Sequence, residues 1–369
     1  MTTIVGEPQQ EEIPRTRCGY TPSESIRAFD KALLESGAVA IGRSLHFAAD
    51  VVSSGGIESF LRSAWEYAIC HIGLASPRIF IYLKRRSKEL QDILNKYPDE
   101  SAYAMEEFQV RAGEIVLVLK EAPTRTITPW PRVGAETHAE AWIRSISGAT
   151  ETAALRKVWR PEGDTSVLRT IGAEICKSVS EGALEKSLFW VKWLFEEEAA
   201  LRKKKGALTT YDRSTAGSKN KGGVGFFLLA LFAEIYKECA AKGTLRMDEE
   251  FQTLVDIWKS DKDLPLSAKK QILTILVQIL CEVPKWKVPA APALIKDPVA
   301  MSIAIRQVPK FFREVLAYDP PRAVAAIAKA FRSRGKVDPK AILKAKKGEA
   351  AEDQMSAFDR ALDAYFSRA

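Results

Sequence analysis

The chain has 369 residues, 46% hydrophobic and 28% charged, with 21 glycines and 18 prolines. That composition excludes disordered, collagen-like and disulfide-stapled classes and calls for about two or three domains of ordinary size. The formal charge of +8 and a pI near 9.1 favour polyanionic partners. Five cysteines without a Cys-x-x-Cys pair exclude a zinc knuckle or redox dithiol and fit a reducing compartment, cytoplasmic or nuclear, or a packaged virion.

Residues 1–20 read as a mobile polar tail, with Glu7, Glu11 and Glu12 where a signal peptide would be apolar. Thr21-Pro22-Ser23-Glu24 is a helix start, with Thr21 at the cap. Ile41, Leu45, Ala49 and Val52 then mark one helix face, ended by Ser53-Ser54-Gly55-Gly56. Ile57, Leu61, Trp65, Ala68 and Ile72 mark the next face, closed by Gly73, so the two helices form a hairpin. A third helix runs from Pro77 toward Leu94 and a fourth from Ala102 to Leu119. Within the fourth, Ile115 to Leu119 is the one run that a strand would also fit. The spacing thus predicts a helical unit over 21–122.

Pro123, Pro129, Trp130 and Pro131 break the pattern, so 123–150 is expected to be a linker. A second helical unit, 151–245, carries the stripe Leu184, Leu188, Val191, Phe195 and the stripe Phe226, Leu229, Ala233, Tyr236, joined by a basic loop over 202–221. Lys186-Ser187-Leu188-Phe189-Trp190 matches Arg43-Ser44-Leu45-His46-Phe47 in order of residue types, so a duplicated unit is one reading and chance the other. The C-terminal domain, 246–369, has the apolar stripe Ile272, Ile275, Leu276, Ile279 and a second stripe of Val324, Ile327, Ala328 and Phe331. It also has three Asp-Pro helix starts, at Asp297, Asp319 and Asp338. The expected class is all-α, and the longest apolar run, Val224 to Ala233, is too short to cross a membrane.

Chemistry has few carriers. With three histidines, His46 four residues before Asp50 is the closest approach to an acid–base pair, and its ordinary meaning is structural. Gly217 to Gly223 precedes a helix like a phosphate loop, but Gly223-Val224 stands where such a loop needs Lys followed by Ser or Thr. Glu196, Glu197 and Glu198 are spread around a helix axis rather than aimed at one ion. Neither a cofactor, a metal nor a catalytic residue is expected.

The basic excess sits in two segments. Arg202, Lys203, Lys204, Lys205, Arg213, Lys219 and Lys221 face Asp212 alone, and 329–347 holds Arg332, Arg334 and Lys336 among further lysines. Such residues contact phosphates without reading bases. Of the eight tryptophans, Trp65, Trp190 and Trp258 read as core, and Trp130 and Trp286, set among prolines, as the exposed stacking candidates.

Ser44-Leu45-His46-Phe47 through Gly55-Gly56, Phe60-Leu61-Arg62 and His71-Ile72-Gly73-Leu74-Ala75-Ser76-Pro77 resembles the collar region of RarA-type AAA+ clamp-loader relatives over residues 40–80. Ile72, Gly73, Leu74 and Pro77 carry its most specific part. The resemblance implies a helical domain that forms oligomeric collars in DNA-replication machinery. Without a Walker A lysine it implies no ATPase activity. The leading expectation is therefore a non-enzymatic helical assembly protein that associates with itself or with partners around DNA or RNA. The alternative is a structural subunit of a large assembly such as a virus particle or cytoskeletal lattice. A third reading, an unrecognised enzyme, would need a deep pocket with convergent polar groups.

Overall fold

A computed structural model describes residues 14–98, 100–126, 128–138, 140–146, 150–204, 208, 210–213, 223–260, 264–285, 294–319, 327 and 329–331. Among them the fold is all-α and contains no strand. In chain order the helices are α1 (Pro22–Leu34), α2 (Ala38–Ser53), α3 (Ile57–Tyr67), α4 (Arg78–Lys96), α5 (Ser101–Ala104), α6 (Glu106–Glu121) and α7 (Glu140–Ser145). They continue with α8 (Ala153–Val158), α9 (Ser166–Ser180), α10 (Leu184–Lys203), α11 (Val224–Ala241), α12 (Asp248–Ser260), α13 (Leu266–Glu282) and α14 (Pro298–Leu316).

The chain divides into two compact units that do not follow the linear spans 21–122, 151–245 and 246–369. One comprises Met1–Tyr67, Tyr82–Ala122 and Leu294–Ala369, the other Ala68–Ile81 and Pro123–Ala293. The reason is packing: α14 lies against α2 and α6, so the last described helix belongs with the first ones.

In the first unit, α1 begins with the full capping box, Thr21 accepting from the Glu24 N–H and Glu24 accepting from the Thr21 N–H. Its inward face, Ile26, Phe29 and Leu33, is buried where α1 packs on α2 and α3, with the Phe29 and Phe60 rings 5.4 Å apart. The expected helix 102–119 is interrupted at Met105, whose extended backbone (φ −73°, ψ 125°) separates α5 from α6. Ile115 to Leu119 is helical and buried on every side, which explains why the run shows no amphipathic rhythm. Asp297 caps α14 as expected, accepting from the Val299 and Ala300 N–H groups. Asp338 lies outside the described residues, as does Pro320 of the Asp319 start; of the second stripe, Ile327 and Phe331 are described and buried.

The part of the expected tail that is described is seated on the fold. Residues 15–20 fold onto α2 because Arg17, with its side chain 3% exposed, donates to the Ser53 and Tyr318 carbonyls and pairs with Glu100 at 2.9 Å. Asp50, fully buried, accepts from the Cys18 N–H at 3.0 Å and the Ser25 hydroxyl at 2.7 Å. Lys120 of α6 closes the far end of α1, donating to the carbonyls of Ala32, Leu33 and Glu35. These are the carbonyls a helix C-terminus leaves without partners, and the ammonium also meets the negative end of the helix dipole. Lys120→Met is expected to destabilise the protein by about 2 kcal/mol in urea unfolding, the cost of leaving them unsatisfied.

In the second unit the turn Ala68–Ile72 is a π-helix, followed by a 3-10 turn over Gly73–Ala75. Gly73, at φ 50°, ends the helix in the left-handed region, while Ile72 and Leu74 are buried. The segment expected to be a linker is a strap on α13. Arg125 forks onto Glu282 (2.9 and 3.1 Å), Thr128 accepts from Gln278 (2.8 Å), and Trp130 Nε1 donates to Thr274 (2.6 Å). The partners step back four residues at a time along one helix face, and the prolines keep the strap extended enough to follow it. α13 supplies the core behind it through Ile272, Ile275, Leu276 and Ile279, each at most 1% exposed.

Candidate nucleic-acid interface

The basic loop leaves α10 and enters α11, and its ends are tied together. Glu198, near the end of α10, pairs with Arg202 one turn on (3.1 Å) and accepts from the Val224 N–H that opens α11 (3.4 Å). Gly223 has no side chain with which to cap that helix, so Glu198 serves in its place. Lys203 and Lys204 follow, exposed and without an ion pair among the described residues. Glu197 is turned the other way, toward His138 (2.7 Å), whose ring stacks on the buried Trp193 at 5.1 Å.

The middle of the loop is pinned by a buried carboxylate. Asp164, its side chain 0% exposed, receives both terminal nitrogens of Arg213 together with the backbone N–H groups of Tyr211 and Arg160, each of the latter at 2.8 Å. Arg213 also donates to the Val158 carbonyl (2.7 Å) and lies over the Phe227 ring at 5.3 Å. Burial alone would raise the Asp164 carboxyl, but the Arg213 hydrogen bonds and the two backbone donors outweigh it and hold the group below the usual carboxylate range.

Arg213 is therefore corrected from a phosphate contact to an anchor: only 11% of its side chain is exposed, and its donors face inward. Of the other expected contacts, Arg202, Lys203 and Lys204 are exposed at the end of α10. Lys205, Lys219, Lys221, Arg332, Arg334 and Lys336 lie outside the described residues. Ile72, Gly73, Leu74 and Pro77 form a helix junction, as their spacing suggested.

The anchor brings a second set of cations to the loop. Gly163 receives Tyr211 so closely that a β-carbon there would stand 3.0 Å from the Tyr211 α-carbon. This seats the loop on the turn after α8, close to the last residues of that helix, Arg156-Lys157-Val158, and to Trp159-Arg160 that follow it. Arg156, Lys157 and Arg160 are exposed, Trp159 is half-buried, and Tyr211 is 43% exposed. Arg169 of α9 lies over the Trp159 ring at 5.0 Å. Lys157 reaches Glu234 at 3.7 Å, whereas Arg156 and Arg160 make no ion pair with any described residue. Glu198 of α10 and the anchoring Arg213 both reach the first turn of α11, at the Val224 N–H and the Phe227 ring. Arg156, Lys157 and Arg160 with Trp159 and Tyr211 thus make a basic patch with aromatic rings set into it, a composition suited to a phosphate backbone and to stacking.

Sequence reasoning missed this partner surface, although 156–160 packs three cations and a tryptophan into five positions. Trp130, expected to be exposed, is half-buried, packed against Phe195 beneath Lys270; Trp286 lies outside the described residues. Trp65, Trp190 and Trp258 are core, as expected. Burial pushes the His46 imidazole down, against the opposing charges of Asp50 and Glu314. Burial together with Asp50 drives the Cys18 thiol far above its ordinary value, so the group around Asp50 holds no ready nucleophile. Among the described residues no three His, Cys, Asp or Glu side chains converge on a metal position, and no helix is long and apolar enough to cross a membrane. No protein-family model, no curated protein and no solved structure matches this chain.

Proposed function

We propose that this protein is a non-enzymatic helical assembly protein that holds nucleic acid, of the replication-collar kind that its Ile72–Pro77 turn resembles. The observation that carries the reading is the Asp164 anchor, which draws Tyr211 of the basic loop onto the turn that carries Trp159 and Arg160, in the same loop that Lys203 and Lys204 begin. Cations without protein partners beside half-exposed rings have a use in binding a nucleic-acid strand. In a salt series read by fluorescence anisotropy, log affinity is expected to fall linearly with log salt, each phosphate contact adding about 0.7 to 0.9 to the slope. Reversing Lys203, Lys204 and Lys205 to Glu is expected to weaken binding at least about tenfold and to reduce the slope by about 2 to 3. An unchanged slope would remove the loop from the interface.

A second reading, a structural subunit of a larger assembly, is favoured by one feature of the first unit. Val299 and Ile303, one turn apart on α14, are 70% and 59% exposed. If mass measurement gives a defined oligomer that Ile303→Asp dissolves, while nucleic acid is not bound even at low salt, this reading takes precedence.

A further inference from the structure

The described surface contains a cavity that the proposed strand contacts do not use. It lies between α8 and α9, has a volume of about 380 Å³, and is lined by Glu151, Leu155, Arg169, Thr170, Ala173 and Glu174 among others. That size is at the lower end of small-ligand sites. Its floor is unusual in charge. The Glu174 side chain is 9% exposed and accepts no hydrogen bond from any described residue; its one ionic partner, Lys186, stands at 3.8 Å. Glu151, by contrast, is fully engaged by Arg169 in a forked pair at 3.2 and 3.0 Å. The Glu174 oxygens thus keep their hydrogen-bonding capacity unused by the described protein groups, and a ligand in the cavity can supply the donors.

Arg169 joins this cavity to the basic surface, because the guanidinium that lines it also lies over Trp159. A strand whose phosphates meet Arg156 and Arg160 can therefore turn a base inward past Arg169. Ala173, with Leu155 buried behind it, gives the cavity an apolar side, and Glu174 offers two acceptor oxygens. Guanine has two adjacent N–H donors, N1–H and the N2 amino group, on its Watson–Crick edge, whereas the other bases present one donor group there. Only an unpaired base exposes that edge, as single-stranded recognition requires.

We infer that the cavity between α8 and α9 is a binding site for an unpaired guanine base of a single strand, read by Glu174. The inference rests on the nucleic-acid reading above and deepens it. The test is anisotropy with full-length protein and an oligo-dT strand carrying one central dG, compared with the same strand carrying dA or dT there. The dG strand is expected to bind about tenfold more tightly, the discrimination typical of a two-donor base contact. Glu174→Gln, checked by its melting curve, should abolish that preference while leaving oligo-dT affinity unchanged. Glu174→Asp, which withdraws the carboxylate, serves if the Gln variant does not fold. Equal binding of the three strands, or a dG preference that survives both variants, overturns the guanine site and leaves the strand-binding surface standing. Failure of every strand to bind overturns both together.

Discussion

Asp164→Asn is expected to lower the stability of the protein by about 3 kcal/mol, because it leaves the Arg213 guanidinium buried without its counter-charge. The size follows from burial: with the side chains 0% and 11% exposed, neither ion can regain water unless the loop leaves its seat. The same substitution should accelerate amide exchange at Tyr211, whose N–H bonds to the Asp164 carboxylate. The pH dependence has a definite sign. The folded Asp164 is held below its ordinary value, so its contribution is complete above the unfolded value of about 3.9 and is lost as pH falls through the lower folded value. Urea unfolding across that range should show a steep acid limb in the wild-type protein, diminished in Asp164→Asn. Matching acid limbs would mean that the carboxylate is not what pins the loop.

The anchor also marks the limit of what could be read from the residues. Helix positions follow from local spacing, so Thr21-Pro22, the Ile41–Val52 face, the α13 stripe and the Asp297-Pro298 start all correspond to real elements. The class was legible for the same reason. Asp164 and Arg213, in contrast, meet only because α8, α9 and α11 pack together, and no periodicity announces an ion pair between distant loops. The strap over 123–134 was obscured in a similar way. Its prolines exclude a helix, but its register is set by Thr274, Gln278 and Glu282, residues that only the folded α13 aligns. One local likeness did acquire physical content: Ser44 and Ser187, aligned in the compared segments, are both fully buried and each donates to the carbonyl four residues earlier.

Gly113→Ala distinguishes local propensity from packing. In an isolated helix the change would stabilise by about 1 kcal/mol, since Ala is the better helix former. In α6 the added β-carbon would fall 2.3 and 2.6 Å from the two methyl carbons of Val308 on α14, and 3.0 Å from its β-carbon. Val308 is fully buried, and because its own β-carbon would stand at 3.0 Å, rotating the side chain cannot by itself remove the crowding. Overpacking of this kind costs about 1 to 3 kcal/mol and outweighs the propensity gain, so urea unfolding should show a net loss of about 2 kcal/mol. Val308→Ala alone should also destabilise, by about 2 kcal/mol, through the cavity it leaves. Combined, the two changes should cost at least about 1 kcal/mol less than their sum, because the new methyl group occupies the space that Val308 vacates. Strict additivity would show that α6 and α14 do not press against each other at this glycine, and would separate the Leu294–Leu316 segment from the helices it joins in the first unit.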